Sequence, residues 1–116
     1  MLIEVSKGEL IDKITILEIK SERVKDTDKL ININKELEIL KSQEFHTELK
    51  ESLKKINETL WDIEDAVRIH EKMGDFGDLF IEKARSVYKF NDERCRIKRM
   101  INIEQGSEII EEKSYA

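Results

Sequence analysis

The sequence predicts an all-α protein, an elongated antiparallel bundle of three to four helices organised around one long helical hairpin. Three observations lead there. No proline occurs in the 116 residues, so no segment carries the strongest helix breaker. Isoleucine and leucine recur at three- and four-residue spacing over most of the chain. Charged residues make up 41% and aromatics only 6%; combined with regular apolar spacing, that reads as solvent-laced helices rather than as disorder. The length suits one domain over residues 1–116, with a single modest core.

Residues 1–5 read as a short extended lead-in. Ser6-Lys7-Gly8-Glu9 then matches a capping box, in which the serine side chain caps the amide three residues on. A helix is expected over about residues 7–25, with Leu10, Ile14, Leu17 and Val24 on its core line, Ile11 beside it, and Ile16 and Ile19 on the far side. Two apolar sides call for two neighbours, which places this helix centrally or puts Ile16 and Ile19 in a dimer contact. Asp26-Thr27-Asp28 supplies a turn and the next cap, and Leu30, Ile33, Leu37 and Leu40 carry a second helix over about 28–41. The register slips around 42–47. Leu49, Leu53, Ile56, Leu60, Ile63 and Val67 then follow heptad spacing, predicting a coiled-coil-like third helix over about 47–72, roughly 40 Å long. Gly74 and Gly77 turn the chain, with Asp78 read as a cap. Phe80, Ala84, Val87, Phe90, Ile97 and Ile101 predict a fourth helix over about 78–104, followed by the short acidic tail Glu111-Glu112-Lys113-Ser114-Tyr115-Ala116. A long hairpin buries its stripes poorly alone, so a homodimer is expected.

The net charge is −5, with 21 basic and 26 acidic residues. That balance argues against a nucleic-acid partner. The one basic knot, Arg94 to Arg99, sends its charges in several directions and reads as a solvated helix end. A single cysteine, Cys95, excludes an internal disulfide and a multi-cysteine zinc site. His46 and His70 lack an evident third ligand, so neither metal nor cofactor is expected. No run approaches the roughly 18 apolar residues of a membrane span and no leader pattern opens the chain, so the expectation is a soluble, cytoplasmic protein with no membrane partner.

One position contradicts its surroundings. Val87, Phe90, Ile97 and Ile101 form an apolar stripe, and the residue that completes it is Arg94. A guanidinium in an apolar seam has to be paired, because an isolated buried charge is prohibitively costly. On the first helix Glu18 lies nearest the core line; on the third, Asn57, Trp61, Glu64 and Arg68 follow 4-3-4 spacing; on the fourth, Asn91 and Lys98 flank Arg94. Two readings stand side by side. In one, Arg94, Lys98 and Asn91 hold a small anionic metabolite between helices, with Glu18 or Glu64 as a possible acid or base. In the other, the same groups form a closed ion-pair network that sets helix register or joins two subunits, and the protein is a homodimeric interaction module. The Lys-Ser-Tyr end fits either, as a flap or as a free peptide.

The blocks Ser6-x-Gly8-Glu9-Leu10-Ile11-Asp12-Lys13-Ile14-Thr15-Ile16-Leu17-Glu18-Ile19-Lys20, Asn57-x-x-Leu60-Trp61-x-Ile63-Glu64-Asp65, Phe80-Ile81-Glu82-x-Ala84-Arg85-Ser86-Val87-Tyr88-x-x-Asn91-Asp92-x-Arg94 and Glu112-Lys113-Ser114-Tyr115 resemble a bacterial family of small proteins classed as a domain of unknown function. The resemblance spans nearly the whole chain and brings no activity with it. It does add Asp12 and Lys13 to the candidates, so that the ligand-binding set becomes Asp12, Lys13, Glu18, Asn57, Trp61, Glu64, Asn91, Arg94 and Lys98. A second resemblance, to small dimeric helical chorismate mutases, is limited to Leu10-Ile11-Asp12-Lys13-Ile14 and Arg23. Thr15 stands where that pattern has an aspartate, and the arginine spacing and later order differ, so it gives no assignment.

Overall fold

In a computed structural model that describes residues 1–114, the chain forms four helices, and no strand occurs among the described residues: α1 (Lys7–Arg23), α2 (Thr27–Lys41), α3 (Lys50–Met73) and α4 (Asp78–Glu104). Ser6 caps α1 as its sequence implies, its Oγ accepting from the Glu9 amide at 3.1 Å. Asp26 does the same for α2, accepting from the amides of Asp28 and Lys29. Gly74 closes α3 at φ 65°, the left-handed geometry that glycine adopts without penalty. Asp78 is not the cap of α4; Gly77 holds that position, with no side-chain hydrogen bond.

α3 and α4 are joined at the Gly74–Gly77 turn, where His70 and Phe76 pack their rings against Phe80. At the opposite end of this pair, Leu53 meets Ile97 and Ile101, and Ile11 of α1 completes that core. α1 contacts each of the other three helices, whereas α2 touches α1 alone and buries no residue. The core therefore sits at one end of the molecule. It is a compact root made of α1, the first turns of α3 and the last turns of α4. From Glu58 to Arg96 no residue is buried, so the rest of α3 and α4 leaves the root as a two-layered arm.

Of the two places the sequence offers α1, the structure has the central one: Ile19 is 1% exposed and Ile16 half-buried, the second apolar side being covered from within the chain. Two expectations need correction. Ile11, fully buried, is at the heart of the core, whereas Leu10 and Val24 are only half-buried. The basic knot Arg94–Arg99 is not a helix end. α4 continues to Glu104 with no basic residue in its last turn, and Arg94, Arg96, Lys98 and Arg99 are each engaged by carboxylates.

Candidate functional site: the Arg94 seam

α1 and α4 approach closely because residue 8 has no side chain. A Cβ there would lie 2.3 Å from the Lys98 carbonyl oxygen, so only glycine permits this contact. The Gly8 amide donates to Asn102 Oδ1 at 2.6 Å, which fixes the two helices in register. One turn along α1 the register sets Asp12, 0% exposed, opposite Arg94.

Arg94 grips Asp12 with two parallel hydrogen bonds, Nε to Oδ1 at 2.9 Å and Nη2 to Oδ2 at 2.5 Å. This is the bidentate geometry for which a planar guanidinium is suited. Asn57 of α3 donates from Nδ2 to Asp12 Oδ1 at 2.9 Å and to Thr15 Oγ1 at 3.0 Å, while the Thr15 hydroxyl donates to the Asp12 carbonyl at 2.8 Å. Burial on its own would push the Asp12 carboxyl up. The hydrogen bonds from Arg94 and Asn57 and the nearby Arg94 and Lys98 charges outweigh it and hold the group below the usual carboxylate range. Asp12 is therefore an anion with its oxygens committed, a structural pin rather than a general base. Among the described residues no buried side-chain nitrogen or oxygen lacks a partner.

Lys98, 7% exposed, lies beside the pin. Its Nζ donates to Glu9 at 2.7 Å, stands 3.8 Å from Asp12 Oδ2, and meets Glu111 of the strap 108–114 at 3.5 Å. Burial favours the neutral amine here, but the three carboxylates outweigh it, and the pKa is raised. Arg99 holds the next strap residue, Glu112, at 2.8 Å. Over Lys98 opens a hollow of about 840 Å³, lined among others by Glu9, Tyr88, Asn91, Arg94, Cys95 and Glu111. A second, of about 470 Å³, lies against the other side of Arg94, lined by Asn57, Trp61, Glu64, Arg68 and Asn91 among others. Arg94 and Asn91 line both, and the Arg94 side chain keeps 27% of its surface open. Among the described residues its Nη1 has only a long bond, 3.4 Å, to Asn91 Oδ1.

The sequence-derived set thus divides. Asp12, Asn57, Asn91, Arg94 and Lys98 come together in one seam. Trp61 and Glu64 reach only the second hollow, where the Trp61 ring packs under Arg23 at 5.8 Å. Lys13 is exposed and pairs with Glu9 on its own helix. Glu18 is not the partner of Arg94. It is surrounded by Lys50 at 3.0 Å, Lys41 at 3.3 Å and Lys54 at 3.6 Å and ties α1 to α3 and the end of α2. Glu64 does not pair with Arg94 either. Sequence reasoning missed Glu9, Asn102 and Glu111. It also missed the role of Gly8, although Gly8, Asp12 and Thr15 follow 4-3 spacing and mark a seam of small and polar residues along α1. His70 pairs with Asp75 at 3.2 Å, and no cluster of three or more possible metal ligands occurs among the described residues. No helix among the described residues is long and apolar enough to cross a membrane. Tyr115, the end of the Lys-Ser-Tyr segment, lies outside the described residues.

No curated protein and no solved structure matches this chain. A family model does, over residues 1–116: the chain belongs to DUF6165, a family of unknown function.

Proposed function

We propose that this member of the family binds a small carboxylate-bearing metabolite in the hollow over Lys98, by exchange with its own strap. The observation that carries the reading is the Glu111 carboxylate, which lies 3.5 Å from the buried Lys98 ammonium at the edge of that hollow. A ligand carboxylate taking its place leaves the charge around Lys98 unchanged, so exchange uncovers no unpaired buried ion. The strap is held mainly by ion pairs whose acidic partners are exposed, 40% for Glu111 and 72% for Glu112, and such pairs contribute little stability. Asn91 and the open edge of Arg94 supply further donors. The reading is one of binding: Asp12 and Glu18 both sit below the usual carboxylate range among cations, unsuited to general-base work near neutral pH. Thermal unfolding with mono-, di- and tricarboxylates tests it. Upward shifts that grow with ligand concentration and disappear in Lys98→Met are expected. An unmoved transition for every carboxylate at roughly 100 times a millimolar dissociation constant would remove the reading.

A second reading, compatible with the first, is a homodimeric interaction module with an antiparallel α3–α4 hairpin as the associating element. The hairpin geometry is supported by contacts at both its ends, Phe80 with His70 and Leu53 with Ile97 and Ile101. Self-association is supported by surface. The chain exposes 8383 Å², against about 6,600 Å² expected for a folded monomer of 13.7 kDa. Part of the excess belongs to the extended ends; the rest lies on α2 and the arm, where Ile31, Ile39, Ile69, Met73, Phe76, Leu79, Ile81 and Tyr88 are exposed.

A further inference from the structure

We infer that the arm pairs with the arm of a second copy of this chain, the acidic middle of α3 on one copy meeting the basic stretch of α4 on the other. The inference rests on the homodimer reading and adds the face and the pairing rule. Two helices packed only on each other bury one stripe each, and half-buried Ile56, Leu60, Ile63 and Val67 on α3 face this limit with Val87 and Phe90 on α4. Helical arms of this kind gain stability when another layer covers them.

The charges say what the other layer is. Among the described residues, Glu64 and Asp65 on α3 are exposed and make no ion pair, unlike Asp62, which Arg23 holds at 2.6 Å. On α4, Lys83, Arg85 and Lys89 also make none, and no acid interrupts residues 83–91. Residues 58–67 of α3 carry acids and no base, and residues 83–91 of α4 carry bases and no acid, so these two stretches make each copy complementary to a second. The exposed apolar groups lie among them, Ile69 and Met73 following Asp65 on α3, Ile81 and Tyr88 bracketing Arg85 on α4. An apolar patch with a complementary charged rim has the make-up of a protein interface, in which charge sets register and rate while apolar burial supplies affinity.

Sedimentation equilibrium of the full chain, across micromolar concentrations and at two ionic strengths, tests the pairing. The expected wild-type result is a reversible dimer that weakens as salt rises. Arg85→Glu with Lys89→Glu, and separately Glu64→Lys with Asp65→Lys, should each weaken it at least about tenfold, and mixing the two variants should restore a heterodimer. These positions are exposed, so circular dichroism should show both variants folded; the salt dependence of wild type decides the matter if either is not. A wild-type dimer unaffected by salt, reversal or mixing overturns the pairing rule while leaving the homodimer reading standing. A monomer at every concentration overturns both, and leaves carboxylate binding untouched.

Discussion

Arg94 is the residue at which this chain departs from its own pattern, and Asp12 is the reason the departure is tolerated. Replacing one member of a buried, bidentate pair leaves the other charge uncompensated. Arg94→Met should therefore cost about 3 kcal/mol in urea unfolding, somewhat less than a fully enclosed pair because the arginine is partly open. Asp12→Asn should cost a similar amount. pH acts on the same pin. Because the folded Asp12 pKa is lowered, its contribution is complete above the ordinary aspartate value, near pH 4, and is lost as pH falls through the folded value. The Glu18 cluster behaves alike. Wild type should lose stability steeply below about pH 4, and Asp12→Asn should lose it less steeply, as followed by denaturant midpoints at each pH. The anomaly at Arg94 was legible in sequence, as was the need for a carboxylate opposite it. Which carboxylate was not: Asp12 and Glu18 lie on one helix less than two turns apart, and the choice depends on how far along α1 the helix α4 crosses.

That crossing is decided at the level of helices. Gly8 lets the backbones of α1 and α4 touch, and Asn102 locks the contact by accepting the Gly8 amide. Gly8→Ala would put a methyl into the Lys98 backbone, which cannot move aside as a flexible side chain does. The expected result is a loss of about 2 kcal/mol or more, with the Asp12–Arg94 register disturbed, read by unfolding and by loss of amide protection at Gly8. Helix identities followed from spacing because each helix carries its own apolar repeat. The burial of Ile19 and the exposure of α2 did not, since both depend on which neighbour covers which side. The end of α4 at Glu104 is where the spacing set it; the error was to read Arg94–Arg99 as that end, when these residues lie inside the helix and the last turn has no basic residue.

Taken as a whole, the molecule joins a well-packed root to a thinly packed arm. Its radius of gyration is 15.9 Å, against about 13.4 Å for a compact domain of this length. The apolar repeat of α3 made its length legible in the sequence, and the absence of buried residues from Glu58 to Arg96 follows from two long helices with little else to cover them. The strap was not foreseen as a ligand of Lys98, because contacts between Lys98 and a residue 13 positions later in an irregular segment leave no periodic trace. Its role joins the root to the proposed function, and it can be tested apart from the arm. Isothermal titration of a dicarboxylate such as succinate into wild type and into Glu111→Gln/Glu112→Gln is the most direct measurement. If the strap occupies the site, the variant should bind severalfold more tightly, because no internal carboxylate competes, and Lys98→Met in the same background should abolish the heat. Equal or absent binding in wild type and strap variant would contradict carboxylate exchange at Lys98.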